Sequence, residues 1–454
     1  MIDDADPIAA AFAALPPEDS PPDRRARDAH LAALARETRR HAEEAARAVS
    51  RDYGHRPRPE TLLAEVAMVL EGVRHARRNL RRWMRPERAP LPYHLWPSSA
   101  HVTRVPLGRV GIIGPWNYPL QLTLLPLVAA IAGGNRAILH PSEHTPETAA
   151  LVARIAAAAL PGRVVTLAPS ARTAAALAAA PLDGLFFTGS TATGRRVAEA
   201  AARNLVPVTL ELGGKSPAIL LDGADLDAAA RSIIAGKLLN AGQTCVAPDY
   251  LMVPRAQVEP MLAALRRATA ALYPDPSGPD YAAIARAPDR DRLEALLYGA
   301  RAEPLMERMP APPRMGAWAL IDPAPDHPAM QAEIFGPVLP ILPYDDPAET
   351  RAFVRARPCP LALYVYGPER AARALAEATP SGGAVVNETV VHVGVQSLAF
   401  GGAGESGMGA YHGAEGFRAF TRPRALMVAR PSLARLVRPP YGRNIERILA
   451  SLIR

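Results

Sequence analysis

The chain has 454 residues, 49% of them hydrophobic and 21% charged, with two cysteines, Cys245 and Cys359, and a formal net charge of +8. This length allows two or three domains with a sizeable core. Two cysteines are too few for a disulfide scaffold, and no cluster of histidine and cysteine has the spacing of a zinc site, so we expect no metal. The N-terminus is acidic and contains prolines, unlike a secretory signal, and no apolar run reaches the roughly 20 residues of a membrane span, so we expect a cytoplasmic protein.

The first predicted elements are helices between residues 24 and 85, where apolar positions recur at helical spacing among charges. Their last part belongs to the basic stretch RHARRNLRRWMRPER, residues 74–88, a pattern that can bind nucleic acid. The stretch lacks aromatic stacking platforms, and all but two of the fixed positive charges in the chain are arginine, which indicates a compositional bias. We therefore interpret it as a solvated or subunit-contacting helix face and expect no nucleic-acid partner; nucleic-acid binding is the alternative.

An alternating pattern of strands and helices follows. HVTRVPLGRVGIIG, residues 101–114, predicts a hairpin that leads into a buried strand. Short apolar strands then alternate with helices, near residues 119–132 and 146–159 for example, which is typical of a parallel sheet with crossovers. The predicted strands of this block are GRVGIIG, NRAILH, RVVTLA and GLFFTGS.

A second alternating block predicts a second α/β domain. It contains a helix before Cys245, and its predicted strands are PAILLD, DYLMVP, PLALYVYG and GAVVNETV. The expected fold class is therefore α/β, with two domains built on parallel-rich sheets.

One turn in the first block has the features of an anion site. FFTGSTATGRRVAEAA, residues 186–201, predicts a strand, a turn at Gly189 and Ser190, and the start of a helix. The N-terminus of a helix can hold a phosphate or a diphosphate. The turn lacks the G-x-G-x-x-G spacing of a dinucleotide fingerprint, so an ordinary strand-to-helix turn is the alternative.

Two further stretches contain candidate reactive side chains. Glu211 lies in LELGGKSPAIL, where two glycines and a proline shape a turn, and a surface-loop carboxylate is the alternative. Cys245 lies between a Gly-Gln-Thr run and a proline, unlike a cysteine buried as a small hydrophobe. Cys359 precedes an apolar strand and is interpreted as a bystander.

Five motifs in order identify a resemblance to a known family, and they are PWNYPL at 115, LELGGKSP at 210, GQTCVAPDY at 242, EIFGPVLPI at 333 and FGGAGESGMGAYHGAEGFRAFT at 400. With them the chain resembles the aldehyde dehydrogenase superfamily from about residue 45 to the C-terminus. RDYGHRP, NLRRWMRPER and GMGAYHG resemble the shorter class 3 branch, particularly its bacterial coniferyl aldehyde dehydrogenase-like members.

The resemblance implies an aldehyde dehydrogenase-like architecture. A helical lead-in and a dinucleotide-binding domain would take residues 1–85 and 106–209, and a catalytic domain residues 210–420. A small β bridging element for oligomerisation, with the C-terminal tail, would take residues 86–105 and 421–454. Class 3 resemblance implies a homodimer.

The resemblance also implies a reaction and its catalytic residues. Cys245 would add to an aldehyde, and the Asn117 side-chain amide and the Cys245 N–H would hold the oxyanion of the thiohemiacetal. After hydride transfer to NAD, Glu211 would activate the water that hydrolyses the thioester. A base in this position argues against an acylating relative that uses coenzyme A.

For the cofactor, the resemblance implies that Glu333 accepts hydrogen bonds from the nicotinamide ribose and that Phe335 packs near the nicotinamide. His140 stands where family members carry the lysine of Lys-Pro-Ser-Glu, and it is a weaker donor to the adenosine ribose. Glu143 is retained and would repel a 2′-phosphate, so NAD is favoured and NADP is the alternative. The other implied cofactor residues are Trp116, Ser142, Gly189, Ser190, Thr191, Ala192, Thr193 and Gly194.

The expected substrates are aromatic or medium-chain aliphatic aldehydes, with coniferyl aldehyde among them. Residues 270–330 match the family poorly, which leaves part of the substrate entrance undefined. The alternative function is a binding protein that kept the fold and lost turnover, with His140 as its first sign; the intact Cys245, Glu211 and Asn117 argue against it.

Overall fold

Helices form the first part of the computed structural model, which describes residues 6–432, 439–441 and 444–453. A π-helical turn, Leu62–Ala67, joins the last two helices of this part. The helices are α1 (Pro7–Ala14), α2 (Arg24–Arg40), α3 (Ala42–Tyr53), α4 (Arg58–Thr61) and α5 (Met68–Trp83).

Helix α1 was not expected from the acidic, proline-containing N-terminus. The Asp6 side chain accepts a hydrogen bond from the backbone N–H of Ile8, which caps the helix, and Pro7 occupies its first turn. Ile8, Ala11 and Leu15 are buried in a hydrophobic cluster. Tertiary packing therefore stabilises a helix that is too short to form alone.

Two strands follow, β1 (Glu87–Ala89) and β2 (Ser99–Pro106), and then the first large sheet begins. Its elements are β3 (Arg109–Ile113), α6 (Gln121–Gly133), β4 (Arg136–His140), α7 (Pro146–Ala159), β5 (Val164–Thr166), α8 (Ala171–Ala178), β6 (Gly184–Thr188), α9 (Thr191–Ala202) and β7 (Val208–Glu211). Strands β4 and β6 are buried along their whole length, as expected for parallel strands covered on both faces. The longest apolar run of the sequence is the buried helix α6, as predicted.

The second large sheet takes the next part of the chain. Its elements are β8 (Pro217–Leu220), α10 (Leu226–Leu238), β9 (Tyr250–Pro254), α11 (Val258–Leu272), α12 (Ala287–Ala295), β10 (Arg301–Pro304), β11 (Trp318–Ile321), α13 (Pro328–Gln331), β12 (Val338–Tyr344), α14 (Pro347–Arg355), β13 (Ala362–Tyr366), α15 (Glu369–Ala378) and β14 (Gly383–Val386). The C-terminal part contains β15 (Gly407–Met408), α16 (Gly413–Ala419), β16 (Thr421–Val428) and α17 (Asn444–Leu452).

The strand orders confirm the predicted α/β class. The first sheet has the order β15-β7-β6-β3-β4-β5 and the second β10-β11-β12-β9-β8-β13-β14, and each is parallel except at one edge, where β15 and β10 run antiparallel to their neighbours. A small antiparallel sheet, β1-β2-β16, joins strands from distant parts of the chain. The domain boundaries given above stay a prediction.

Strand β15 brings a late segment back to the edge of the first sheet. Gly407 pairs with Glu211 at the end of β7, and its φ is +155°. A Cβ at Gly407 would lie 2.5 Å from the Leu210 carbonyl oxygen, so only glycine allows this approach. Residues near 400–412 are thereby held beside Glu211.

The described residues contain neither a membrane-spanning helix nor a cluster of metal ligands. Within them, no helix is both long and apolar enough to cross a membrane. The same residues contain no group of histidine, cysteine, aspartate and glutamate side chains that could hold a metal ion.

Candidate active site

A cavity of about 620 Å³ lies at the carboxyl ends of β3, β4, β6 and β7, where open parallel sheets bind their ligands. It brings together most of the residues singled out in the sequence. They are Trp116, Asn117, His140, Glu143, Gly189, Ser190, Thr193, Glu211, Cys245, Glu333 and Phe335.

Four of the expected cofactor residues, Ser142, Thr191, Ala192 and Gly194, lie outside the cavity lining. Ser142 is buried, and its hydroxyl accepts a hydrogen bond from the backbone N–H of His144. The Thr191 hydroxyl donates to the Glu405 carbonyl. Their part in cofactor binding stays a prediction.

The loop before Cys245 has an unusual backbone. Asn240, Ala241 and Gly242 all have positive φ, at 52°, 51° and 78°. A Cβ at Gly242 would lie 2.4 Å from the Gly336 carbonyl oxygen, so glycine is needed here. Strained residues of this kind persist only where the surroundings hold them, and they are common at active sites.

Asn117 is tied directly to this loop. Its side-chain Nδ2 donates to the Gln243 carbonyl at 3.2 Å, and Asn240 Nδ2 donates to the Asn117 carbonyl at 3.0 Å. The Tyr118 and Thr244 hydroxyls lie 2.7 Å apart. The loop after β3 and the loop that carries Cys245 therefore form one hydrogen-bonded unit.

Burial favours the neutral forms of Glu211 and Cys245. Burial raises the pKa of Glu211 well above its ordinary range, and its carboxylate oxygens have no hydrogen-bond partner in the described part of the chain. Burial, with the nearby Glu333 and Glu211, raises the pKa of Cys245 to about 12. A thiolate at Cys245 therefore requires a base that takes its proton.

Glu333 reaches the cavity beside Gly213. A Cβ at Gly213 would lie 2.0 Å from Glu333 Oε2, so the carboxylate occupies space that glycine leaves free. Burial raises the pKa of Glu333 to about 8, and within the described residues its Oε1 has no partner. An acceptor of this kind in a cavity fits a hydroxyl group of a bound molecule.

Lys215, one of the two lysines in the chain, has a structural role. Its ammonium group pairs with Asp249 and donates to the carbonyls of Ala329, at 2.6 Å, and Ala332, at 3.1 Å. Asp249 Oδ1 accepts from the Ile334 N–H at 2.8 Å. Lys215 thus helps to fix the segment that carries Glu333 and Phe335.

The remaining walls fit a dinucleotide. Ser190 caps helix α9 by accepting from the Thr193 N–H at 3.3 Å, which leaves the positive end of the helix at the cavity. The Trp116 and Phe335 rings meet edge to face with centroids 5.4 Å apart. The Glu333 carboxylate lies in the same cavity as this aromatic pair.

His140 lines the cavity but is itself fixed by hydrogen bonds. It is 1% exposed, and its Nε2 lies 2.9 Å from the Ser170 carbonyl and 3.1 Å from the Thr173 hydroxyl. Burial lowers the pKa of the imidazole below its ordinary value of 6.5, which favours the neutral ring at physiological pH. These contacts connect β4 to the first turn of α8.

The sequence did not indicate several other cavity residues. Arg286, Asp289 and Arg292 come from α12 or its start, in the region that matched the family poorly, and Arg292 donates to the Ile334 carbonyl at 2.7 Å. Phe400 and Tyr411 come from the last motif. For all five residues, no local sequence pattern indicated that the side chain would face the cavity.

Two histidines, His412 and His392, lie beside the ring of Phe400, which lines the cavity. His412 is 3% exposed, its ring stacks on that of Phe400 with centroids 5.3 Å apart, and neither ring nitrogen has a partner in the described ranges. Burial, with nearby His392 and His75, lowers the pKa of His412 to about 3. His392 is partly buried, and desolvation lowers its pKa to about 4.

We expect His412 and His392 to make a contribution to the free energy of unfolding that decreases as the pH drops from about 6.5, against the buried carboxyl groups, whose raised pKa acts in the opposite direction. His412 and His392 stay neutral in the folded chain but gain protons near their ordinary pKa of 6.5 when it unfolds, so acid favours the unfolded state. Urea unfolding at pH 7 and pH 5 should show a smaller loss for His412→Asn, since asparagine cannot titrate and tolerates the φ of 76°. Equal losses in both proteins would contradict this.

The comparisons with known proteins agree with this site. The model of the aldehyde dehydrogenase family matches residues 3–426. The probable coniferyl aldehyde dehydrogenase of Pseudomonas aeruginosa is 42% identical over 420 residues, which cover 89% of this chain and 87% of that protein. The 4,4'-diaponeurosporen-aldehyde dehydrogenase of Staphylococcus aureus is 37% identical over 404 residues, 86% of this chain and 87% of that protein.

Solved structures of aldehyde dehydrogenases also match the chain. The substrate-bound state of Staphylococcus aureus AldH matches with a TM-score of 0.89 and 34% identity over 95% of each chain. The NAD-dependent aldehyde dehydrogenase of Sinorhizobium meliloti matches with a TM-score of 0.85 and 26% identity, over 96% of this chain and 88% of that one. The chain therefore belongs to the aldehyde dehydrogenase family, as an oxidoreductase that uses NAD(P).

Proposed function

We propose that this protein oxidises aromatic or medium-chain aliphatic aldehydes to carboxylic acids through a covalent bond to Cys245, with NAD as the favoured cofactor. The observation that carries the proposal is the convergence of Cys245, Glu211 and Asn117 in one cavity with Glu333 and Phe335. Relatives named coniferyl aldehyde dehydrogenase support coniferyl aldehyde as one substrate.

The first step is the addition of sulfur to carbon. The Glu211 carboxylate accepts the thiol proton, and the Cys245 thiolate attacks the aldehyde carbonyl to form a thiohemiacetal. The Asn117 amide and the Cys245 N–H donate to the oxyanion that develops on the former carbonyl oxygen. Loss of one such donor typically costs about 10²- to 10³-fold in kcat.

The second half of the reaction restores the enzyme. NAD, when bound, would accept the hydride that leaves the thiohemiacetal carbon, and Glu333 and the Trp116–Phe335 pair would hold its nicotinamide end. A thioester then remains on Cys245. Glu211, once it has released the thiol proton to solvent, takes a proton from the water that attacks the thioester carbonyl. The C–S bond then breaks, the carboxylic acid leaves, and the Cys245 sulfur takes up a proton to become the thiol again.

We expect kcat/KM to rise with pH between about pH 6 and pH 9. Burial raises the pKa of Glu211 and of Cys245, so the forms that react, a carboxylate base and a thiolate, become populated only as the pH rises and are lost as it falls. Initial rates at constant ionic strength measure this profile. A profile that falls across this range would contradict the assignment.

A panel of aldehydes with both cofactors tests the proposed function. We expect oxidation of coniferyl aldehyde, benzaldehyde or a medium-chain alkanal, with a higher kcat/KM for NAD than for NADP. Cys245→Ala is the control for non-enzymatic oxidation. The absence of turnover for every aldehyde with either cofactor would exclude the proposal and favour a protein that binds without turnover.

We also propose a homodimer that forms through the small sheet, in a reducing cytoplasm that keeps Cys245 as a thiol. Strand β16 is an edge strand, and its Leu426, Met427 and Val428 are between 44% and 47% exposed. Exposed apolar edge strands in soluble proteins are usually covered by a partner. Light scattering should give twice the mass of the chain.

A further inference from the structure

The segment RDYGHRP, residues 51–57, has no role in the reaction described above, although it lies against the site. It connects the end of α3 to the start of α4 and turns at Gly54, whose φ is 77°. Asp52 accepts hydrogen bonds from the backbone of Glu147 and Thr148 at the start of α7. The turn is thus fixed to α7, a helix that connects two strands of the first large sheet.

Two side chains of this turn contact the backbone of Asn117. The Tyr53 hydroxyl donates to the Asn117 carbonyl at 2.7 Å, and Arg56 Nη1 donates to the same oxygen at 3.2 Å. Arg56 is 1% exposed, and its guanidinium lies 4.5 Å from the centre of the Tyr118 ring. The backbone carbonyl of Asn117, whose side chain is a proposed oxyanion donor, therefore accepts hydrogen bonds from two side chains of the N-terminal helical part.

Two carboxylates extend these contacts. Glu65 pairs with Arg56 at 2.7 Å and accepts from the Leu120 N–H, also at 2.7 Å, at the start of α6. Glu60 lies 3.9 Å from Arg56 and accepts from the Asn240 N–H at 3.2 Å. The group thus touches both loops that carry the proposed oxyanion donors, the one at Asn117 and the one that leads to Cys245.

Stability alone does not explain a buried arginine at this place. Replacing a buried ion pair with apolar side chains of similar volume is often neutral or stabilising. The contacts of Arg56 are directed at backbone atoms of the site, and a misplacement of about 1 Å can cost about 10²-fold in rate. Placement of these atoms is a function that an apolar side chain could not supply.

We propose that Arg56 is a positioning residue for the oxyanion donors. Through the Asn117 carbonyl, and through Glu60 and Asn240, it holds the Asn117 amide and the Cys245 N–H where the oxyanion forms. This inference rests on the proposed function.

The test compares Arg56→Met with Arg58→Met. Arg58 lies two residues away and pairs with Glu43 on the surface, so it is a matched control outside the site. We expect Arg56→Met to lower kcat by about 10- to 100-fold, while its affinity for NADH, measured by fluorescence titration, stays unchanged. Arg56→Lys should recover part of the lost kcat. Arg58→Met should have the kcat of the wild type. An unchanged kcat in Arg56→Met would overturn the proposal.

A double-mutant cycle separates positioning from general damage. If Arg56 acts partly through Asn117, Arg56→Met should cost less in a chain that already carries Asn117→Ala, where only the Cys245 N–H is left to position. Full additivity of the two losses would overturn the proposal. If Arg56→Met does not fold, Arg56→Lys decides in the same cycle, because lysine keeps a positive charge beside Glu65. Tyr53→Phe tests the second donor to the Asn117 carbonyl, because it removes only one hydroxyl.

A failure of this inference is distinguishable from a failure of the proposed function. A wild-type protein that oxidises no aldehyde would remove the reaction and the positioning role with it. An active wild type with unaffected Arg56 and Tyr53 variants would remove the positioning role alone.

Discussion

Cys245→Ala is expected to abolish aldehyde oxidation, by at least about 10³-fold in kcat, while cofactor binding stays unchanged. The thiol forms the bond to the substrate, and the groups proposed to hold the dinucleotide are other residues of the cavity, Glu333 among them. Steady-state rates of NADH formation and fluorescence titration with NADH measure the two properties separately.

Cys359→Ala is the matched control. This second cysteine lies just before β13 and outside the cavity lining, so its removal should leave kcat unchanged. Turnover that survives in Cys245→Ala but is lost in Cys359→Ala would overturn the assignment of the nucleophile.

The second large effect is expected for Glu211→Gln, which should slow thioester hydrolysis more than hydride transfer. The amide keeps the shape of the side chain but cannot take a proton from water. Stopped-flow absorbance should show a burst of NADH close to one equivalent per site, followed by a steady rate reduced by about 10²-fold or more.

Glu211 is also the proposed acceptor of the thiol proton, so in Glu211→Gln hydroxide from the solvent has to take this proton instead. The burst should therefore be slower than in the wild type, and it should become faster as the pH rises towards the pKa of Cys245, which is about 12. A variant with the wild-type steady rate at every pH would show that another group activates water.

The sequence could predict the strands and helices whose patterns are uninterrupted. RAILH and GLFFT form β4 and β6 because continuous apolar runs suit strands that are covered on both faces. Helix α7 has the bounds expected from its alanine-rich stretch. Helix α1 was missed because its stability depends on the burial of Ile8 and Leu15 by distant residues, which no local pattern reports.

The site residues also divide into those that a sequence motif indicates and those that only folding brings to the site. Cys245, Glu211 and Glu333 lie in motifs whose glycines mark a close approach of the backbone, and Gly213 against Glu333 is an example. Arg56 has no such signal, because its contact with Asn117 spans 61 positions of the chain. Only folding brings such residues together, so sequence reasoning could not assign them to the site.

The central claim is that the substrate becomes covalently attached to Cys245, and peptide mapping tests it most directly. Glu211→Gln is mixed with NAD and an aldehyde that the panel identifies, quenched in acid during the burst and digested. We predict that the peptide containing Cys245 gains the mass of the acyl group and that the peptide containing Cys359 is unmodified. A full NADH burst with no acyl group on Cys245 would contradict the account.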